Sequence, residues 1–300
     1  MKKYLLHILL FFAIVAAIDV CVGAFGRYLQ GHAKGGNTYR FDNLVMTDEH
    51  DILILGSSRA HSHYDTPFLS DTLGLDFYNA GIDGNGVVLA DGILKMVLSR
   101  YQPKAVVFDV EPAFDIVVYE EDNNHTRYLS KLKPYYKEKG IPEIIKDVSE
   151  VEWYKVQSGL IRYNTEILEM IVDNLIDRGR EIRGFSPLKG KIEKEPEPKA
   201  SKYVVLDSFK LAYMEKLIML CHENGVPLIL VGSPKYGQKN SGALQPVKDI
   251  AEKYDVRFLD YYAEPSFMAH KEWFKEPMHL NSEGARVFTK MIANDISVLL

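Results

Sequence analysis

The sequence is poor in cysteine, in basic clusters and in phosphate-binding glycine patterns. Its two cysteines, Cys21 and Cys221, lie in an apolar amino-terminal run and in a predicted helix, which argues against a structural disulfide. No block of basic residues stands out and the formal net charge is −5, so nucleic acid is not expected as a partner. The turn after the first predicted strand lacks G-x-G-x-x-G, which argues against a nucleotide- or flavin-binding protein.

The amino terminus has the pattern of a membrane-targeting segment. In residues 1–26, two lysines precede a run from Tyr4 to Phe25 that is apolar except for His7 and Asp19. A basic flank followed by about 20 apolar residues is typical of a signal peptide or a signal anchor. The apolar character continues beyond the possible cleavage site at residues 15–17, which favours a retained anchor. The lysines would then stay in the cytoplasm and place the rest outside the cytoplasmic membrane; a cleaved segment would make the protein secreted.

The remainder of the chain has the composition of a globular protein, with 47% hydrophobic and 26% charged residues overall. Residues 27–49 are mixed and glycine-rich, and we interpret them as a tether. We expect residues 50–300 to form one α/β domain. Residues 111–200 interrupt its pattern and are interpreted as a largely helical insertion, with helical spacing at 159–182 and an exposed loop at 184–200.

Apolar runs of strand length alternate with segments of helical periodicity on both sides of this insertion. The predicted strands are 51–55, 76–79, 105–110, 227–231 and 256–259. The predicted helices are 64–73, 87–100, 206–224, 244–254 and 282–300. This alternation predicts a three-layer α/β/α domain around a five-stranded parallel sheet.

Chemically useful residues follow these strands where the strands end. Gly56-Ser57-Ser58 follows the first strand, the loop 81–86 follows the second, Glu111 follows the third, and the segment after the fifth leads to His279. Because ligands bind beyond the carboxyl ends of parallel strands, we expect these residues to meet at one edge of the sheet.

Ser58 is the candidate nucleophile at that edge. A serine needs a base to take its proton, and a histidine held by a carboxylate is the usual one. Glu276 lies three residues before His279 and supplies that carboxylate. The alternative is that Ser57 and Ser58 only shape the turn from strand to helix.

These motifs resemble those of the SGNH (GDSL-like) hydrolase superfamily, which has a flavodoxin-like α/β/α fold. The resemblance covers about 50–115 and 203–300. It implies that Ser58 is the nucleophile and that His279 is the base, with Glu276 as the acid. Asn79-Ala80-Gly81-Ile82-Asp83-Gly84 is similar to the second motif, N-x-G-x-x-G. This similarity implies an oxyanion hole made by the N–H groups of Ser58 and Gly84.

The chain departs from the superfamily pattern in two places. Glu276 stands where an aspartate is usual. The third motif, G-x-N-D, is replaced by FDVEPAF, with Asp109 and Glu111 and no asparagine. A charged Glu111 would oppose an oxyanion unless it is protonated or turned away. The G-S-S sequence at 56–58 and the predicted anchor resemble the membrane-anchored branch that handles acyl groups on envelope polymers.

Several further residues are expected to line the site: Gly56, Ser57, Arg59, His61, Asn79, Gly81, Asn85 and Glu111. Arg59 could bind an anionic group or replace the missing donor, but pairing with Asp83 or Glu111 is favoured. His61 and His63 lack a matching cluster of histidines or cysteines, so packing or site lining is favoured over a metal site.

The resulting hypothesis is a membrane-anchored serine esterase or acyltransferase. Its expected substrate is an ester, O-acetyl by preference, on an envelope or extracellular glycan, and it needs no metal or organic cofactor. The alternative is a binding or assembly protein of the envelope that kept the fold and lost catalysis, which the missing third motif supports.

Overall fold

The computed structural model describes residues 2–118, 125–176, 182–195 and 205–299. The chain divides into two compact units. The first, which we call the helical unit, comprises Met1–Thr47 and Asn124–Arg180. The second, which we call the α/β unit, comprises Asp48–Asn123 and Glu181–Leu300.

The bounds of the regular elements in the described residues are as follows. The helices are α1 (Lys2–His32), α2 (Gly36–Met46), α3 (Ser58–His63), α4 (Thr66–Leu73), α5 (Val87–Leu98), α6 (Pro112–Asp115), α7 (Ile141–Val148), α8 (Glu150–Lys155), α9 (Gly159–Tyr163), α10 (Ile167–Leu175), α11 (Ser208–Glu223), α12 (Gln245–Lys253), α13 (Pro265–Met268) and α14 (Ser282–Leu299). The strands are β1 (Ile52–Gly56), β2 (Phe77–Asn79), β3 (Ala105–Asp109), β4 (Leu228–Gly232), β5 (Arg257–Asp260), β6 (Phe274–Glu276) and β7 (His279–Leu280).

Helix α1 is long and apolar enough to cross a membrane, and none of its most apolar 18-residue window is buried within the protein. The range 27–49, where the sequence predicts a tether, contains instead the end of α1 and all of α2. Helix α2 buries Phe41, Leu44 and Val45. This apolar face explains why the range forms a packed helix and not a tether.

The helical unit also contains the middle of the predicted insertion, as helices α7 to α10. Leu29 of α1 packs there against Tyr163 and Met170. The helical spacing predicted over 159–182 is divided between α9 and α10, and part of it lies outside the described residues.

The sheet of the α/β unit confirms the predicted fold class. Its five strands, all within the described part of the chain, are parallel in the order β2-β1-β3-β4-β5. Each predicted strand is found within about one residue of its predicted bounds. This strand order is the flavodoxin-like one, in which the crevice for ligands lies where β1 and β3 diverge.

Both faces of this sheet are covered, which explains why its central strands are apolar throughout. Ile52 and Ile54 pack in a cluster with Phe288 and Ile292 of α14. The intervening residue Leu53, which points to the other face, is equally buried. Helices α5 and α12 contact the sheet at β1 and β5. A three-layer α/β/α arrangement results.

One part of the predicted insertion belongs to the α/β unit: the loop predicted at 184–200, most of whose described residues are exposed, but which is attached to the unit by backbone hydrogen bonds. The Ile192 N–H donates to the Phe274 carbonyl at 2.9 Å, and Ile192 is buried. The Leu188 carbonyl accepts from the Ser282 N–H at 2.8 Å. These bonds satisfy backbone groups around β6 and α14, so the segment packs despite its charges. Residues 196–204 lie outside the described residues.

A short antiparallel hairpin, β6–β7, precedes α14 and was not predicted. Glu276 pairs directly with His279 across it, and Pro277-Met278 forms the loop. Strands of two and three residues show no periodicity that a sequence pattern can reveal.

Gly56 provides a test of the close contact between β1 and β3. Its φ is +141°, and a Cβ there would lie 2.7 Å from the Asp109 carbonyl oxygen. We expect Gly56→Ala to lower the free energy of unfolding by at least about 1–3 kcal/mol, because strain and the contact add. Gly74→Ala is the control, since Gly74 has φ +68° but open space around it. Urea unfolding measures both, and equal losses in the two variants would contradict the contact argument.

Candidate active site

The turn from β1 into α3 positions Ser58. Ser57 is the amino-terminal cap of α3, and its hydroxyl oxygen accepts from the Arg59 N–H at 3.3 Å. Ser57 therefore has the turn-shaping role that was the alternative for both serines. Ser58 is the first residue of the helix, where a backbone N–H has no partner within the helix.

Ser58, His279 and Glu276 are brought together in one hydrogen-bonded chain. The Ser58 Oγ lies 2.7 Å from the His279 Nε2. On the other side of the ring, the His279 Nδ1 bonds to the Glu276 carboxylate. Because a carboxylate accepts, Nδ1 carries the proton and Nε2 is left to accept from the serine hydroxyl. The serine is thus placed to lose its proton to the histidine.

The β6–β7 hairpin explains how a glutamate occupies the position of the acid. Glu276 lies opposite His279, and its second carboxylate oxygen accepts from the Met278 N–H at 2.9 Å. Partial burial raises the pKa of Glu276, but the hydrogen bonds from His279 and Met278 outweigh it and leave the pKa below its ordinary value. The hairpin loop is held by the Tyr236 N–H, which donates to the Pro277 carbonyl at 3.0 Å.

The second motif supports α3 from the end of β2. Asn79 is fully buried; its side-chain NH₂ donates to the Ala60 carbonyl at 2.7 Å, and its oxygen accepts from the Gly81 N–H at 3.1 Å. At Gly81 a Cβ would lie 2.5 Å from the His61 nitrogen, so only glycine fits there. Asn79 and Gly81, predicted to line the site, instead hold the loop against α3.

Gly84 lies in the turn that follows this contact. The Asn85 N–H donates to the Ile82 carbonyl at 3.2 Å, and Gly84 is the third residue of that turn, with φ +70°. The turn's own hydrogen bond does not use the Gly84 N–H. The Asn85 side chain donates to the Asp83 carbonyl at 3.0 Å, which holds Asn85 within the turn.

Arg59 and Glu111 form a buried ion pair. Their closest atoms are 2.6 Å apart, and the two side chains are only 1% and 2% exposed. Of the partners considered for Arg59, the structure selects Glu111 rather than Asp83. Neither side chain lines the site as predicted, because each is sequestered by the other. The charge of Glu111 is balanced by the guanidinium of Arg59.

Further residues join this pair to form what we call the Arg59 network: Arg59, His63, Asp109, Glu111 and Ser233. The guanidinium donates to the Ser233 Oγ at 2.9 Å and to the Ser233 carbonyl. Burial opposes the charge of Arg59, but Glu111 and Asp109 outweigh it and raise its pKa above the ordinary value. Burial raises the pKa of Asp109 to about 6, although Arg59 opposes that shift.

His63 connects the Arg59 network to the strand that carries His279. Its Nε2 accepts from the Leu280 N–H at 3.0 Å, so its Nδ1 carries the proton and donates to the Ser233 Oγ at 2.9 Å. Burial and the Arg59 charge hold the pKa of His63 well below its ordinary value, which keeps the ring neutral. Both ring nitrogens of His63 are therefore engaged in hydrogen bonds within the protein. No group of three potential metal ligands occurs among the described residues.

A pocket of about 170 Å³ opens beside the serine and the histidine. It is lined by Ser58, His61, Ser62, Asp83, Ser186, Leu188, Lys275 and His279. His61 lines it as predicted, and its Nδ1 lies 2.9 Å from the Asp83 carboxylate. Gly56 and Ser57 are buried turn residues instead.

The lining residues that sequence reasoning missed come from four places. Asp83 lies in the loop after β2, which the sequence placed at this edge of the sheet. Ser62 lies one helical turn after Ser58, so helical spacing could have indicated it. Lys275 adjoins Glu276 in β6. Ser186 and Leu188 belong to the segment predicted as an exposed loop, and only its packing brings them to the serine.

The comparisons with known proteins give a remote structural likeness. No protein-family model matches the chain, and no curated protein matches it. A solved structure of a catalytic mutant of an acetylxylan esterase from Geobacillus stearothermophilus is similar, with a TM-score of 0.42 and 12% identity over 83% of this chain and 94% of that one. A mutant of an acetyl-xylooligosaccharide esterase from the same genus gives 0.41 and 13%, with the same coverage. Likeness at this level assigns no chemistry, so the functional argument depends on the site itself.

Glu111→Gln tests the buried pair. We expect it to lower the free energy of unfolding by about 3–5 kcal/mol, because it leaves the buried Arg59 without its closest counter-charge. The control is Asp83→Asn, which breaks the pair with His61; the Asp83 side chain is 70% exposed, and we expect a loss below about 1 kcal/mol. Urea unfolding measures both, and a loss as small in Glu111→Gln as in the control would refute the assigned role.

Asp109→Asn tests the electrostatics of the Arg59 network through pH. The pKa of Asp109 is about 6 when folded, against an ordinary 3.8. The folded state therefore keeps a proton that the unfolded state loses between about pH 4 and 6. The parent protein should lose up to about 3 kcal/mol of stability as the pH rises through this interval, and the variant should not show this loss. Urea unfolding at several pH values checks this; a parent-to-variant difference that stays constant from pH 4 to 7 would contradict it.

Proposed function

We propose that the protein is a serine esterase or acyltransferase of SGNH type, with Ser58 as nucleophile, His279 as base and Glu276 as the acid that orients it. The observation that carries this proposal is the hydrogen-bonded chain from the Ser58 Oγ through His279 to Glu276, with 2.7 Å between serine and histidine. Its location beyond the carboxyl end of β1, beside a pocket, also supports catalysis.

In the reaction, the Ser58 Oγ attacks the acyl carbon while the His279 Nε2 takes the hydroxyl proton. Glu276 stabilises the imidazolium that forms. The tetrahedral intermediate then collapses: its bond to the alcohol breaks, and His279 gives the proton to the leaving oxygen. Water or a sugar hydroxyl, deprotonated by His279, attacks the acyl-serine in the second half and regenerates Ser58.

We propose that the N–H groups of Ser58 and Gly84 hold the oxyanion. The first lies at the start of α3 and the second is unused by its own turn. The third donor of the superfamily, an asparagine, has no counterpart in FDVEPAF, and the loss of one such donor costs about 10²–10³ in rate elsewhere. The pairing of Glu111 with Arg59 removes the charge that would otherwise oppose the oxyanion.

The pocket favours a small acyl group on a hydroxylated substrate. Its volume is about 170 Å³, and Ser62, Ser186, Asp83 and Lys275 contribute polar groups to its lining. Such a lining suits a sugar better than a lipid chain. We therefore propose an ester, O-acetyl by preference, of an envelope or extracellular glycan as the substrate.

We further propose that α1 is a retained single-pass anchor in the cytoplasmic membrane and that the α/β unit lies on the extracytoplasmic side. Its length and apolar composition support a membrane span, and its two lysines lie at the amino-terminal end. A binding or assembly protein without catalysis is the competing function, because the third motif is missing.

Fluorophosphonate labelling of the full-length protein separates these two functions. We expect one covalent adduct by intact mass, and its loss in Ser58→Ala and His279→Ala, because the serine reacts only when His279 takes its proton. Glu276→Gln should slow labelling by up to about 10⁴-fold, since an amide holds the ring less well and does not stabilise the imidazolium.

The matched control for this experiment is Ser266→Ala, which removes an exposed serine of α13 and should label as the parent does. Circular dichroism confirms that each variant is folded. Absence of an adduct on folded parent protein would refute the esterase proposal and favour the binding protein.

A further inference from the structure

Asp19 is an acidic residue within the apolar run of α1, and it has specific partners in the helical unit. Its carboxylate accepts from the Ser158 hydroxyl, from the Gly159 N–H at 3.0 Å and from the Leu160 N–H at 3.0 Å. The two N–H groups belong to the first turn of α9, where the helix itself provides no acceptors. The carboxylate thus ties the start of α9 to α1. The same hydrogen bonds stabilise its charge, which would be costly in an apolar medium.

Three glycines let α9 approach α1 closely at the same place. A Cβ on Gly159 would lie 2.4 Å from the Asp19 carbonyl oxygen, and one on Gly23 would lie 3.3 Å from the Gly159 Cα. A Cβ on Gly26 would lie 2.5 Å from the Tyr163 ring. Small residues at such a crossing are typical of helix pairs in membranes. Helix α9 is therefore fixed along α1 between residues 19 and 26.

This position corresponds to a definite depth if α1 spans a bilayer. A hydrocarbon core of about 30 Å takes about 20 helical residues at 1.5 Å each. Counted from Tyr4, which follows the two lysines, the core ends near Gly23. Asp19 and the first turn of α9 then lie at the far boundary of the bilayer.

Several apolar side chains next to this contact are exposed. Leu160 and Ile161 of α9 are 40% and 39% exposed, and Val151 and Tyr154 of the preceding helix α8 are 60% and 73% exposed. We call these four residues the interfacial patch. Tyrosine is enriched at the boundary between lipid and water, and leucine, isoleucine and valine favour lipid.

We propose that the interfacial patch inserts into the headgroup region of the bilayer that α1 spans. The proposal rests on the anchor of the proposed function and adds a second point of attachment, which fixes the orientation of the helical unit on the membrane. We assign a lipid surface as the partner of the interfacial patch because the exposed apolar surface of α1 continues to the patch. Val20 and Phe25, within the same stretch of α1, are 68% and 47% exposed, so the medium that covers α1 there reaches Leu160 and Ile161 as well.

Site-directed spin labelling of the full chain tests this proposal. The protein, with Cys21→Ser and Cys221→Ala, is reconstituted into vesicles of phosphatidylcholine and phosphatidylglycerol. Single labels are placed at Ile161→Cys and, as an independent second position, at Tyr154→Cys. Collision rates of each label with oxygen, which partitions into lipid, are compared with those of a water-soluble nickel chelate.

Labels at two reference positions provide the values with which the patch positions are compared. Leu10→Cys lies in the exposed middle of α1 and reports on the anchor, and Val298→Cys is an apolar residue of the α/β unit that is 84% exposed. We expect the oxygen-to-nickel ratio at Ile161 and Tyr154 to be shifted toward that of Leu10 and to exceed that of Val298.

The outcomes separate the anchor from the patch. A lipid-like ratio at Leu10 with a ratio equal to that of Val298 at both patch positions would overturn the patch and leave the anchor intact. A water-like ratio at Leu10 would overturn the anchor and the patch together. Neither result bears on the reactivity of Ser58, which fluorophosphonate labelling measures separately.

Discussion

The buried positive charge of Arg59 is the constraint on which the candidate site depends. A guanidinium that is 1% exposed is tolerated only if nearby groups balance it, and Glu111 and Asp109 from the end of β3 do so. Ser233 accepts two further hydrogen bonds from the end of β4. The side chain next to Ser58 therefore links the turn after β1 to the ends of β3 and β4.

The same network gives Glu111 a structural role. Glu111 belongs to FDVEPAF, where the resemblance described above implies an asparagine, and its charge is balanced by Arg59. His63 extends the network to β7, because it accepts from the Leu280 N–H beside His279. Helix α3 and strand β7 are thus held together by buried polar groups.

The two units present different surfaces to their surroundings. In the α/β unit a pocket with several polar side chains lies beside Ser58, whose Oγ is 2.7 Å from the His279 Nε2. In the helical unit Leu160 and Ile161 are apolar and exposed near the crossing of α1 and α9, and the Asp19 carboxylate accepts hydrogen bonds from the first turn of α9. This contrast agrees with the proposed function and with the proposed lipid contact of the helical unit.

The sequence by itself determined the sheet and most of the residues of the candidate site. Apolar runs alternating with helical periods predicted five parallel strands, and the common edge of such strands predicted that Ser58, Glu111 and His279 would approach one another. Tertiary structure alone decided which of these face the pocket. The sequence offered two acidic partners for Arg59, Asp83 and Glu111, and burial beside Glu111 decided between them. The hairpin that places Glu276 opposite His279 is too short to show a periodicity in the sequence. Ser186 and Leu188 reach the serine because their segment pairs with residues far along the chain, and such long-range pairing has no local signal in sequence.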